Sequence, residues 1–238
     1  MSPALLIAII VAIVMVALVA ILLTRFVAYL RRLKRDRYIR SFAFPKGLLN
    51  KMAARRPNLD LKQRSLVAQG LRQFFLAYLH SGQKYVAMPS QVADELWHEF
   101  ILYTKNYQQF CQIAFGNFLH HTPAVMLGPA QADNEGLRRC WWYVCKDENI
   151  NPTKPLRLPL LFALDEKLGI INGFRYIANC GKSQANGTSN LHCGSDFSDS
   201  SIDGGTCGFG DNGTIGGADA SDGGGDSDGC GGGCGGGD

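Results

Sequence analysis

Between Ala4 and Leu23 the chain carries no charge and no strongly hydrogen-bonding side chain, and this run limits what the rest can be. At about 1.5 Å per residue it spans roughly 30 Å, the thickness of a bilayer's hydrocarbon core. Hydrocarbon offers backbone groups no partners, and a helix satisfies its own. A helix on a soluble domain would show a polar face, and this run has none. The expectation is a transmembrane anchor over residues 1–24 whose first partner is the lipid bilayer.

The flanks set its direction. Met1, Ser2 and Pro3 bring no base, whereas Arg25, Arg31, Arg32, Lys34, Arg35, Arg37 and Arg40 stand beyond the run against Asp36 alone. The positive-inside rule puts that flank in the cytoplasm, giving a single-pass protein with its N-terminus outside, as in a bacterial inner membrane. A secretory signal would place the bases first and a small-residue cleavage site after a shorter apolar stretch. The basic juxtamembrane segment, residues 25–40, interleaves Phe26, Tyr29, Leu30, Leu33 and Tyr38. Read as a helix extension, it would meet anionic lipid headgroups, and the preferred reading is a plain topology signal with no lipid specificity. Too few bases are present, and too near a membrane, for a nucleic-acid surface.

Residues 41–178 have the composition of a folded domain, and helical spacing dominates them. Leu66, Leu71, Phe74, Phe75, Tyr78 and Leu79 predict an amphipathic helix from Asp60 to Ser81, stopped by Gly82. Ser90 is a good N-cap for the next. That helix is read as one element with Leu96, Trp97, Phe100, Ile101, Thr104, Tyr107, Cys111, Ala114, Phe115 and Phe118 in the core, and with Glu95, Glu99, Asn106 and Gln109 in solvent. A third helix is expected over residues 130–145, and a short fourth over 160–168 between Pro159 and Gly169. Only residues 84–88 and 174–177 read as extended. The fold class is mostly α, with four or five helices in the domain.

Candidate chemistry is sparse. Asp94 and His98 lie four apart on one helix, so a carboxylate could orient an imidazole and leave its other nitrogen for a metal or a proton. The pair His120 and His121 follows and would approach them if the chain turns back. Asp94, His98, His120 and His121 are therefore the candidate metal ligands, with nitrogen and oxygen donors suited to zinc or iron. The competing reading of the same residues is a helix-stabilising polar contact and a histidine at a helix end. No H-E-x-x-H, phosphate loop, dinucleotide fingerprint or G-x-S-x-G element is present, so no cofactor and no reaction is assigned. Cys111 reads as a core residue, and Cys140 and Cys145 match neither a zinc ribbon nor a redox pair.

The stretch Asp94-Glu95-Leu96-Trp97-His98, followed by Tyr107-Gln108-Gln109-Phe110-Cys111, resembles the D-x-x-W-H and Y-x-x-F-C elements of the glycine-rich domain proteins of plants and many bacteria. The resemblance covers residues 85–125 and extends to the glycine-rich C-terminal tail those proteins tend to carry. It departs where Phe100 and Ile101 stand in place of a second histidine after His98. It implies little chemistry.

Residues 179–238 change character. They hold 20 Gly and nine Asp, with Lys182 as the only base, so no packed core offsets the entropy of ordering them, and a disordered acidic tail is expected. Cys180, Cys193, Cys207, Cys230 and Cys234 lie here, in spacings too loose for a zinc finger. In a cytoplasmic compartment they would remain thiols. Together these features lead to the expectation of a membrane-anchored interaction or scaffold module with an unknown protein partner. The alternative is a metal-binding protein or metal-dependent enzyme built on the His/Asp residues.

Overall fold

A computed structural model describes residues 2–121, 134–178, 192–193 and 197. Helix α1 runs without a break from Pro3 to Ser41, with Pro at its first turn and the Ser2 side chain accepting the Leu5 N–H. It is long and apolar enough to cross a membrane, by length and composition, and its apolar window is exposed. A signal sequence would meet the same length and composition test. The basic segment after the apolar run is helical throughout, and by Ile39, fully buried, the same helix has entered the domain core.

Six shorter helices follow among the described residues: α2 (Leu48–Arg55), α3 (Leu61–His80), α4 (Gln91–Leu102), α5 (Thr104–Ala114), α6 (Asn134–Asp147) and α7 (Leu160–Lys167). Helix α3 is central and packs against α1, α4, α6 and α7. It begins with a reciprocal cap, the Asp60 carboxylate taking the Gln63 N–H and the Gln63 side chain taking the Asp60 N–H. From Gln73 to Leu79 every residue is buried, as expected of a helix covered on all sides. Gly70 lets α7 approach, since a Cβ there would lie 2.4 Å from a Leu164 methyl. Gln73, the buried amide of this helix, donates to Glu148 at 2.8 Å and accepts the Leu161 N–H at 3.1 Å.

Several expectations change. The long helix read from Ser90 to Phe118 is two elements, because Tyr103 leaves helical geometry (ψ 60°) and serves as C-cap of α4 and N-cap of α5. Thr104 is exposed and Phe110 buried, and Phe118, past the end of α5 at Ala114, is exposed. Glu99, read as solvent-facing, is buried because α2, an element not foreseen, brings Arg55 to 2.5 Å and Lys51 to 4.0 Å from it. Arg56, just past α2, clasps Glu95 with two hydrogen bonds of 2.6 and 3.0 Å. Residues 84–88 form no strand although Val86, Ala87 and Met88 are buried.

Tyr176–Ile177 (β1) pairs in parallel with His192–Cys193 (β2), inside the stretch read as a disordered tail. Phe197 is buried against Trp141, Phe162 and Tyr176. The remainder of the tail, with Cys180, Cys207, Cys230 and Cys234, lies outside the described residues, as do residues 130–133 of the expected third helix.

Candidate metal centre

Helix α4 carries two of the candidate ligands, and its start is held firmly. The Ser90 hydroxyl accepts the Ala93 N–H and donates to Asp165. The Asp165 carboxylate, 2% exposed, also accepts the N–H groups of Gln91 (2.7 Å), Val92 (3.2 Å) and Phe174 (2.9 Å). This buried carboxylate is thus satisfied by hydrogen-bond donors at the positive end of a helix. It joins α7 to α4, with no trace of the link in local spacing.

One face of α4 places Val92, Ala93, Leu96, Trp97 and Phe100 in the core. Asp94 and His98 flank that stripe one turn apart, and His98 Nδ1 lies 3.4 Å from Asp94 Oδ2. The third member arrives from residues 115–121. Gly116 adopts φ +82°, a conformation that favours glycine, and the chain then runs back along α4. The Tyr107 phenol, buried in the core, accepts from Trp97 Nε1 at 3.1 Å and donates to the Leu119 carbonyl at 2.5 Å. Burial pushes this phenol well above the usual tyrosine range, so it stays a donor.

Two residues on, His121 sets its Nε2 2.8 Å from Asp94 Oδ1. Its ring meets Trp97 edge to face, with centroids 4.5 Å apart, and lies 4.1 Å from the ring of His98. Donor atoms of Asp94, His98 and His121 all fall within 4.8 Å of one another. Donors around a tetrahedral zinc, bonded at about 2.0–2.2 Å, stand roughly 3.3–3.5 Å apart, so small side-chain rotations would suffice to enclose an ion. His121 is nearly buried and Asp94 mostly so, while His98 is 48% exposed, which leaves one side of the group open to solvent. His120 stands apart, exposed and tilted against Phe118.

In this arrangement His121 Nε2 faces the Asp94 carboxylate, so a metal taking that nitrogen would replace the hydrogen bond between them. Other reactive candidates are muted. The described thiols of Cys111, Cys140 and Cys145 are buried and unpaired, and burial raises all three, Cys145 to about 12. They are core atoms, not nucleophiles.

A family model described as UCP032817-like matches residues 34–197, from the last turns of α1 to the buried Phe197. No curated protein and no solved structure matches the chain.

Proposed function

The chain belongs to the UCP032817-like family, and for it we propose a membrane-anchored domain that binds a divalent transition metal through Asp94, His98 and His121. The supporting observation is the convergence of three donors from two separate segments, fixed by hydrogen bonds on Trp97, Tyr107 and Leu119. Two imidazoles and one carboxylate suit zinc or iron(II). Three protein donors with one open side correspond to a centre that keeps a water or substrate position, unlike a closed four-ligand structural site. A metal held there would supply Lewis acidity and a more acidic bound water. The protein's own part is to orient the imidazoles and exclude water on the Trp97 side.

The likeness to glycine-rich domain proteins belongs to this proposal, since Asp94 and His98 fall in the element that carries it. So does orientation: the basic flank of the apolar helix argues for a cytoplasmic domain. The reading as an interaction module rests on the composition of the tail, whereas the metal reading rests on side-chain geometry, and the latter is preferred.

The test is metal content and cobalt(II) titration of the full chain purified in detergent. One ion per chain is expected, with cobalt d–d absorption. Asp94→Ala, His98→Ala and His121→Ala should each weaken binding by about 100-fold or more, while His120→Ala leaves it unchanged, the loss of a ligand exceeding the roughly 10–100-fold of an outer-shell change. A chain that binds no zinc, iron or cobalt above background, with its fold indifferent to chelator, would overturn the proposal.

A further inference from the structure

Where α1 passes the end of α3, an open cavity of about 320 Å³ lies between them. Arg31, Arg32 and Arg35 line it from α1, and Leu79, Gly82 and Gln83 from the other side. Arg32 has a structural role, donating to the His80 carbonyl at 2.7 Å at the C-terminal end of α3. Arg31 and Arg35 have no ion-pair partner among the described residues. The nearest acid on the helix, Asp36, is already engaged by Arg40 at 2.7 Å and by His80 at 2.7 Å. Gly116 leaves room for the Arg35 guanidinium, whose Nη2 lies 2.6 Å from where a Cβ would stand. Three guanidiniums within about one helical turn, with no carboxylate among the described residues that line the cavity, make a concave cationic site.

Its depth matters. Tyr29 lies two residues before Arg31 on the same continuous helix, and interfacial tyrosines mark the headgroup level of a bilayer. Helical side chains lean toward the N-terminus, so the arginines of α1 lean back toward the membrane. Guanidinium is the side chain best matched to the oxygens of a phosphate.

We propose that this cavity binds a phosphoryl group through Arg31 and Arg35, in the first instance that of an anionic lipid headgroup. The assignment to lipid rests on the reading of α1 as a membrane anchor; the phosphate chemistry does not.

The experiment uses the full chain in nanodiscs of phosphatidylcholine, with or without about a third phosphatidylglycerol. Thermal unfolding of the domain is followed for the wild type, Arg31→Gln/Arg35→Gln and Lys34→Gln/Arg37→Gln. The last pair removes the same charge from a different groove of the helix. Phosphatidylglycerol should raise Tm by about 2–4 °C in the wild type and in the Lys34/Arg37 variant, and leave the Arg31/Arg35 variant unmoved. The single variant Arg31→Gln, at an exposed position, substitutes if the double variant is already destabilised in phosphatidylcholine, and should halve the shift at least. A second arm titrates inorganic phosphate and glycerol 3-phosphate in zwitterionic detergent. A shift there with the same arginine dependence, without one in nanodiscs, assigns the site to a free phosphate compound. Equal losses in the two double variants would reveal diffuse attraction and overturn the proposal, as would no shift in either arm. Release of the chain from membranes by alkaline carbonate would count against the anchor alone, and the detergent arm would still decide the phosphate chemistry.

Discussion

The phenol of Tyr107 lies among the rings of Phe100 and Phe118, yet its oxygen links Trp97 on α4 to the carbonyl of Leu119 two residues before His121. Removing that oxygen alone would leave a buried indole N–H and a buried carbonyl without partners, at about 1–3 kcal/mol in total stability. It would also free the segment that carries His121. Tyr107→Phe is therefore expected to lower denaturant stability by about 1–3 kcal/mol and to weaken cobalt binding by roughly 10-fold or more. Loss of stability with metal affinity intact would make Tyr107 a core residue and nothing else. At this scale the spacing of Asp94 and His98 was legible, because four residues on a helix fix their relation. The separation of His121 from its neighbour His120 was not, since it depends on where a non-helical segment sets each ring. Asp165 left no local signal of its link to α4, because its partners there lie 73 to 75 positions away.

Among elements, periodicity revealed α3, α6 and α7 and overran at Tyr103. A 3.6-residue pattern continues through a short break when the halves on either side bury faces against the same core, as Phe100 and Phe110 do at 5.5 Å. Helix α2 escaped because Leu48 and Met52 are its only buried apolar residues, and Lys51 and Arg55 hold it to Glu99 through charge. The junction of α3, α6 and α7 is likewise polar. Glu148 accepts from Gln73, from the Leu160 N–H at 2.6 Å and from Arg157. Burial alone would raise its carboxyl, but these donors outweigh it and hold the group below the usual carboxylate range. A group whose folded pKa is depressed stabilises the fold above its unfolded pKa, about 4.3, and loses that contribution as pH falls through the folded value. Glu148→Gln should thus cost about 1–2 kcal/mol at pH 7 and progressively less as the pH falls through the depressed folded pKa, so the two unfolding curves converge in acid. A difference constant from pH 7 to pH 3 would show that the side chain acts through shape alone.

For the whole molecule, the apolar run announced α1 and the basic segment offered its helical extension, but neither announced its entry into the domain core. A composition change at Thr24 and Arg25 suggests a boundary, whereas the backbone continues as helix to Ser41 and delivers Ile39 to the core. At the other end, low-complexity composition hid Phe197, an aromatic that completes a cluster with Trp141, Phe162 and Tyr176. Between these ends the direction of α1 decides the chemistry open to the tail cysteines. With the bases of residues 25–40 on the cytoplasmic side, the tail would meet a reducing environment. A fluorescent protein fused to the C-terminus should then mature, while alkaline phosphatase at the same position stays inactive. Non-reducing electrophoresis of cells quenched with a thiol alkylator should give a single monomer band. Active phosphatase with disulfide-linked species would reverse the orientation, and it would do so without touching the metal proposal, because Asp94, His98 and His121 use no thiol.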